Sequence, residues 1–190
     1  NAHPHLDFSG QIAVVQNGII ENYRDLSNSL KVKGIKLTSE TDTEIIPHLI
    51  GLEIEHSLAN GLSPNEQTLL IAVQKVLTLL EGTYSIAVIW SKAPNALVVA
   101  RGQAPLVLGF GEGEFFCASD TPALTGFTRT FLPLRDHESA LLTPLGIELY
   151  DIEGKRQHRA PSILKGTEFF ADKRNFRHFM LKEIYEQPET

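Results

Sequence analysis

Cysteine and long hydrophobic runs are the scarcest features of this 190-residue sequence. Its single cysteine, Cys117, cannot form a disulfide within the chain, so the sequence favours a reducing compartment and a cytoplasmic location. The longest apolar runs, such as residues 86–90 and 96–100, are far shorter than the roughly 20 residues that span a bilayer. The sequence therefore predicts neither a disulfide framework nor a membrane partner.

Positive charge is also in short supply. Lys and Arg total 17 against 23 Asp and Glu, which gives a formal net charge of −6 without long blocks of one sign. A protein that binds nucleic acid needs a basic surface to neutralise the phosphates. We therefore predict that nucleic acid is not a partner.

Patterns of metal-ligating residues are incomplete. His3 and His5 flank a proline, but no cysteine cluster and no His-Glu-x-x-His helix supplies further ligands for a zinc site. The run Thr41–Glu44 lacks the central glycine and the alternating carboxylates of an EF-hand loop. We expect no metal site and no cofactor.

The composition that remains is typical of a globular protein. Hydrophobic residues make up 42% and charged residues 21% of the chain, which disfavours disordered and coiled-coil classes. The length favours one domain. Helical patterns come first along the chain and short strand patterns follow, so we predict an α+β fold in which helices cover sheets.

The first predicted strand and the turn after it hold a candidate for chemistry. Residues 10–16 are rich in β-branched and apolar side chains, and Asn17-Gly18 at their end is typical of a tight turn. A side-chain amide beside an unobstructed backbone N–H can also form an oxyanion hole. From the residues alone, an ordinary turn and an oxyanion hole both remain open.

Two helices with clear start signals follow this turn. Asn22 is predicted to cap a helix that ends at Gly34, where a left-handed residue is needed. The run Ser39–Glu44 offers acceptors and negative charge to a second, amphipathic helix that begins at Ile45. Helix capping alone explains that run without any functional role.

A third helix and a series of strands complete the pattern. Residues 63–66 form a capping box with proline at the first helical position, and Gly82 is predicted to terminate the helix. Short apolar runs separated by turn residues predict strands, with a helical turn at residues 121–124 among them. The strand runs are residues 84–90, 96–101, 106–110, 115–118, 131–134, 139–143 and 146–150. Cys117 falls in the middle of one strand, where an apolar environment disfavours a thiolate, so we interpret it as a core residue.

Six motifs, in the same order along the chain, resemble one enzyme family. They are Asn1–His5, Ile12–Tyr23, Ser39–Glu44, Leu80–Tyr84, Ala118–Asp120 and Phe179–Pro188. Together they resemble the glutaminase domain of glutamine–fructose-6-phosphate aminotransferases, which are class II glutamine amidotransferases. The resemblance implies a four-layer α/β/β/α sandwich of the N-terminal nucleophile hydrolase type with its first strands missing. It assigns residues 1–176 to a partial type 2 glutamine amidotransferase domain and residues 177–190 to a connector toward a sugar isomerase domain.

The same resemblance implies site residues and a mechanism. An N-terminal cysteine, assisted by its own α-amine, would attack the side-chain amide of glutamine, form a thioester and release ammonia. Asn17 and Gly18 would form the oxyanion hole, and Asp42 would bind the α-ammonium of glutamine. Gln16 stands where the family usually has a histidine. Glutamine and the isomerase domain of a homodimeric parent enzyme would be the partners.

The sequence begins at Asn1, and the activity expected of the chain depends on which residues of the family would lie before that position. The family's nucleophilic cysteine and its carboxylate-binding segment would precede Asn1, so we expect a fragment that is inactive by itself although its parent is an enzyme. Two alternatives remain: a non-catalytic module that binds glutamine, and another class II amidotransferase such as amidophosphoribosyltransferase. The motif Ser39–Glu44 and the tail from Phe179 favour the aminosugar enzyme.

Overall fold

The computed structural model describes residues 2–164, which form three helices and eleven strands. The helices are α1 (Tyr23–Val32), α2 (Ile45–Ala59) and α3 (Glu66–Leu77), with 3-10 turns at Asp42–Glu44 and Thr121–Ala123. The strands are β1 (His5–Leu6), β2 (Ile12–Ile20), β3 (Gly82–Trp90), β4 (Leu97–Gly102), β5 (Val107–Phe110), β6 (Phe115–Ala118), β7 (Thr130–Pro133), β8 (Ser139–Thr143), β9 (Gly146–Tyr150), β10 (Arg156–Gln157) and β11 (Ser162–Ile163). None of the helices in this part of the chain is both long and apolar enough to cross a membrane.

Two antiparallel sheets and a helical layer make up the architecture. The larger sheet has the order β1-β2-β3-β4-β8-β9-β10, and the smaller one has the order β11-β7-β5-β6. The three helices pack on one face of the larger sheet, where buried side chains such as Ile46, Leu69 and Val88 form the main core. The other face of that sheet packs on the smaller sheet. The predicted α+β sandwich is thus confirmed.

The space between the sheets is filled at one end only. Val99, Leu108 and Leu142 belong to the apolar core that joins β4, β5 and β8. At the other end of the strand order, Ile19 of β2 and Ile89 of β3, which lie at opposite ends of the β2–β3 pair, are both exposed on the face that looks toward the smaller sheet. Within residues 2–164, the inner face of the larger sheet is therefore open around β2.

The predicted turn at Asn17-Gly18 is wrong, because β2 continues through both residues. In the register of β2 with β3, Asn17 lies opposite Ser85 and Gly18 lies opposite Tyr84. Asn-Gly marks a hairpin when the strands on either side of it pair with each other. Here nine consecutive residues of β2 pair with β3, and this long ladder carries the strand past the glycine.

Asn22 does not cap α1 with its side chain, although the helix forms as predicted. Its amide Nδ2 donates to the carbonyl oxygen of Leu79, and its Oδ1 accepts from the backbone N–H of Glu81. Both partners lie in the segment between α3 and β3. Asn22 therefore ties the start of α1 to a distant part of the chain. The predicted end of α1 is confirmed, since Gly34 has φ +83°.

The start of α2 at Ile45 is confirmed, but the helix is not amphipathic as predicted. Residues 45–51 are buried without interruption, because the helix lies between its neighbours and the larger sheet. No side chain caps its first turn in the predicted manner. The carboxylate of Glu44 instead turns back toward Thr38 and Ser39.

The third helix begins and ends somewhat inside its predicted bounds. Asn65, not Ser63, is the N-cap, and its side chain accepts from the backbone N–H of Thr68 at 3.0 Å. The helix ends at Leu77, and Gly82 is the first residue of β3. The strands predicted after it are confirmed with small shifts at their ends.

The last described residues add two short strands that the sequence analysis did not predict, β10 and β11. Residues 162–163 form β11, which pairs with β7 and completes one edge of the smaller sheet. The predicted connector at residues 177–190 lies outside the described residues. The boundary between residues 176 and 177 therefore stays a prediction.

Candidate active site

Asn17 lies near the end of β2 and faces the open space between the sheets. Successive side chains of a strand point to opposite faces, and the buried residues Val14 and Gln16 face the helices. The side chain of Asn17 therefore projects to the other face. It lines an open cavity of about 230 Å³ together with His3, Cys117 and other residues of β2, β3 and β6.

Gly18 occupies a position that admits no side chain. Its φ is +113°, and a Cβ atom there would lie 2.0 Å from the carbonyl oxygen of Thr83 on β3. This close approach and the unusual backbone conformation both require glycine. The residue thus keeps the backbone accessible at the end of β2.

The backbone N–H of Gly18 is directed toward a free edge of the sheet. Glu21 donates its N–H to Glu81 across the β2–β3 pair, and alternate residues of a strand direct their N–H groups to opposite edges. By this alternation, Gly18 and Ile20 direct theirs away from β3. On that side β1 pairs only with residues 13–14 of β2, so the later residues face no strand in the described part of the chain.

Asp42 occupies this free edge. Its Oδ2 accepts a hydrogen bond from the backbone N–H of Ile20 at 2.6 Å, across 22 residues of sequence. Asp42 opens the 3-10 turn that leads into α2, and the residue is partly buried. The structure thus brings all three predicted site residues, Asn17, Gly18 and Asp42, to the last part of β2. Gly18 and Asp42 do not line the cavity that Asn17 lines.

The residues next to Asp42 are anchored to three further parts of the chain. Thr41 Oγ1 lies 3.1 Å from His5 Nε2 on β1. Thr43 donates its hydroxyl to Gln16 Oε1 at 2.5 Å and lies 3.1 Å from His3 Nε2. Each contact bridges at least 27 residues of sequence. The run that was explained by helix capping is therefore a set of long-range anchors.

Glu44 holds the loop before the 3-10 turn. Its carboxylate accepts from the backbone N–H and the hydroxyl of both Thr38 and Ser39, at 2.6–2.8 Å. Burial alone would raise the pKa of Glu44, but these donors outweigh it and lower the pKa to about 2. Both carboxylate oxygens are occupied, so Glu44 has a structural role.

The two histidines near the start of the chain contact each other edge to face, with ring centroids 5.4 Å apart. Burial and the neighbouring His3 lower the pKa of His5, which favours its neutral form. His3 and His5 each reach a threonine hydroxyl rather than a metal ligand set. Within residues 2–164, no three His, Cys, Asp or Glu side chains are grouped so as to hold a metal ion.

Cys117 lies on β6 and lines the same cavity as Asn17. Burial raises the pKa of its thiol, which keeps the group protonated at neutral pH. A nucleophilic cysteine needs the opposite shift, from a nearby cation, a helix N-terminus or a base. The cavity therefore contains a thiol that the surroundings do not activate.

Two residues that contact the site were missed by the sequence analysis. Gln16 was considered only as a departure from the family pattern, and Thr43 only as part of a capping run. Their hydrogen bond joins positions 27 residues apart, so no local spacing indicates it. A polar residue in the core-facing register of an apolar strand is the one signal that marks Gln16.

Comparison with known proteins supports an amidotransferase assignment. The glutamine amidotransferase domain family matches residues 1–126. Over 189 residues the chain is 54% identical to the glutamine–fructose-6-phosphate aminotransferase [isomerizing] of Thermosynechococcus vestitus. Over 188 residues it is 55% identical to the corresponding enzyme of a Synechocystis species. Each alignment covers 99% of this chain, and the chain spans 29% of the length of each relative.

Solved structures agree on the fold. The glutamine phosphoribosylpyrophosphate amidotransferase from B. subtilis, in complex with ADP and GMP, matches with a TM-score of 0.65 at 23% identity. This match covers 80% of the present chain and 32% of that protein. A structure described as the allosteric regulatory enzyme of purine biosynthesis matches with a TM-score of 0.64 at 21% identity, over 80% of this chain and 31% of that one. At these identities the likeness establishes the fold alone.

Proposed function

This chain belongs to the glutamine amidotransferase domain family, and we propose that it forms part of the glutaminase domain of a glutamine–fructose-6-phosphate aminotransferase. The relatives at 54–55% identity carry that enzyme's name and align along 99% of the chain. The complete enzyme would hydrolyse the side-chain amide of glutamine and supply ammonia for aminating fructose 6-phosphate. An isomerase domain in the same homodimeric, cytoplasmic enzyme would use that ammonia.

The observation that carries this proposal is the grouping of a carboxylate and two hydrogen-bond donors at the end of β2. Asn17 offers its amide Nδ2 and Gly18 its backbone N–H, two donors suited to the oxyanion of a tetrahedral intermediate. Asp42 would bind the α-ammonium of glutamine. Its Oδ2 already accepts from Ile20, while Oδ1 accepts no hydrogen bond from the other described residues. The carboxylate thus has a free oxygen for a cationic ligand.

The proposed chemistry assigns different steps to these groups. A cysteine thiolate outside the residues described here would attack the amide carbonyl, and the developing oxyanion would be stabilised by Asn17 and Gly18. The resulting thioester would be hydrolysed after ammonia leaves. Asp42 would act during binding, because the α-ammonium keeps its charge throughout the reaction.

The test is glutamine hydrolysis by the complete enzyme carrying Asn17→Ala. An oxyanion donor acts mainly in the transition state, so kcat should fall roughly 10²–10³-fold, equivalent to about 2.7–4 kcal/mol. The KM for glutamine should change little. Ammonia release, measured across glutamine concentrations, separates the two parameters.

Asn60→Ala is the matched control, because Asn60 is an exposed asparagine at the end of α2. It should leave both kinetic parameters near the wild-type values. A wild-type enzyme that releases no ammonia from glutamine would contradict the proposed function. An Asn17→Ala enzyme that keeps its kcat would contradict the oxyanion assignment alone.

A further inference from the structure

We propose that Thr43 and Gln16 are positioning residues for the glutaminase site, because their buried hydrogen bond sets Asp42 in register with Asn17. This inference rests on the proposed function. Gln16 directly precedes Asn17, and Thr43 directly follows Asp42. One side-chain contact therefore joins the immediate neighbours of two proposed site residues.

The contact is shielded from water at both ends. Thr43 is 3% exposed and Gln16 is 6% exposed. The Thr43 hydroxyl has one proton, which it donates to Gln16 Oε1, and its oxygen can then accept from His3 Nε2–H at 3.1 Å. The 3-10 turn, β2 and the segment before β1 thus converge on a single hydroxyl group.

Two ties along β2 locate the 3-10 turn. Thr43 holds Gln16 at one point, and Asp42 holds the N–H of Ile20 at another. These points are four residues apart, which is about 13 Å along a strand. A single tie would leave the turn free to pivot, whereas two ties determine both its place and its direction. The hydrogen bond of Asp42 to Ile20 is one of these ties. The hydrogen bond of Thr43 to Gln16 is the other, and it therefore determines the direction in which Oδ1 of Asp42 points.

Among residues 2–164, Gln16 has no alternative partner to replace this bond. Its Nε2 is buried and donates no hydrogen bond to the other described residues. Exchanging the amide oxygen and nitrogen would leave the oxygen unpaired instead, so half of the amide is unsatisfied in either orientation. A buried amide that is half satisfied is expensive to keep for stability alone. The single bond to Thr43 therefore orients the Gln16 amide directly beside Asn17, which favours a positioning role.

The experiment compares Thr43→Val and Thr43→Ser in the complete enzyme. Valine keeps the shape of threonine and removes the hydroxyl, whereas serine keeps the hydroxyl. Thr43→Val should raise the KM for glutamine about tenfold, because the shifted carboxylate of Asp42 meets the ammonium less well. Thr43→Ser should restore the KM to within about threefold of the wild-type value.

Gln16→Met removes the other end of the same bond with little change in shape. It should raise the KM to a similar extent, and the double variant with Thr43→Val should be no worse than either single variant. Effects that multiply in the double variant would show that the two residues act separately and would overturn the proposal.

Thr68→Val is the matched control for stability. Thr68 lies in α3 and is 1% exposed. Its hydroxyl donates to the carbonyl oxygen of Ser63, in the segment just before α3, and not to β2. It should lower thermal stability about as much as Thr43→Val while leaving the KM unchanged. Equal KM values for the two valine variants would reduce Thr43 to a structural residue and overturn the proposal.

Asp42→Asn separates this inference from the proposed function. If Asp42→Asn raises the KM and Thr43→Val does not, the positioning role is wrong and the proposed function stands. If neither variant changes the KM, the assignment of Asp42 fails and the positioning role fails with it.

Discussion

Asp42 and Glu44 are carboxylates two residues apart, yet the structure uses them in opposite ways. Glu44 accepts four hydrogen bonds from Thr38 and Ser39, which together form a clasp over the loop before α2. Asp42 accepts one, from the N–H of Ile20 at the end of β2. Both carboxylate oxygens of Glu44 are used within the clasp, whereas Oδ1 of Asp42 accepts no hydrogen bond from the other described residues.

The difference shows how two carboxylates in one short segment can take different roles, one structural and one in binding. A carboxylate whose lone pairs are all taken can stabilise a loop but cannot bind a ligand without breaking those bonds. A carboxylate with one tie is oriented and still available. Availability, rather than burial or charge, distinguishes the proposed substrate-binding residue from its neighbour.

The largest expected effect comes from breaking the strand end with Gly18→Ala. The new Cβ would overlap the carbonyl oxygen of Thr83, and alanine would have to adopt a φ of +113°. We expect a loss of about 3 kcal/mol or more of folding stability together with glutaminase activity. Thermal unfolding followed by circular dichroism measures the loss.

Gly10→Ala provides the control for backbone conformation. Gly10 also has a positive φ, +69°, but no atom lies within 4 Å of its ideal Cβ position. Its variant should lose only about 1–2 kcal/mol. Equal losses for the two variants would mean that the close approach to β3 does not matter.

The next effect is on substrate binding, with Asp42→Asn. Asparagine keeps an oxygen for the N–H of Ile20 but removes the charge opposite the ammonium of glutamine. Loss of such a pair costs about 2–5 kcal/mol, so the KM for glutamine should rise at least 30-fold, about the lower end of that range. Steady-state ammonia release measures the KM, and an unchanged value would contradict the assignment of Asp42 to the ammonium of glutamine.

A smaller effect, on stability, is expected for Glu44→Gln. The variant places an amide group against donors from Thr38 and Ser39, which should cost about 2 kcal/mol. The glutamine KM should remain near the wild-type value, because the clasp does not contact the strand end. Denaturant unfolding and kinetics on the same preparation test both statements, and a raised KM would show that the two regions are coupled.

The clasp also predicts a pH dependence of stability. The pKa of Glu44 is lowered from 4.5 to about 2 on folding, so its contribution is fully present above pH 4.5 and is lost as the pH falls toward 2. The wild-type protein should therefore lose stability over this range more steeply than Glu44→Gln. Parallel slopes for the two proteins would contradict the assigned pKa shift.

The smallest effect is expected for Cys117→Ser. The thiol lines the cavity beside Asn17, but burial keeps it protonated. Glutamine turnover by the complete enzyme should change by less than about twofold. A large loss would make Cys117 a participant in the chemistry and would extend the site onto the smaller sheet.

Much of the fold was predictable because its signals are local. Periodic apolar residues and turn residues located α1, α2, α3 and most of the strands within a few residues. The errors occurred where a distant partner outweighed a local signal. Pairing with β3 extends β2 through Asn17-Gly18, where a turn was predicted. The Asn22 side chain donates to the carbonyl oxygen of Leu79 and does not cap its own helix.

The sequence by itself determined the family, through motifs that persist along the chain, and it supplied the residue types of the candidate site. Only the tertiary structure decided how those residues are used. The direction of the Gly18 N–H depends on which edge of β2 is paired with β3, and the free oxygen of Asp42 depends on where Ile20 lies. Both depend on contacts between segments 20 or more residues apart in sequence, because folding, and not spacing along the chain, brings these donors and acceptors together.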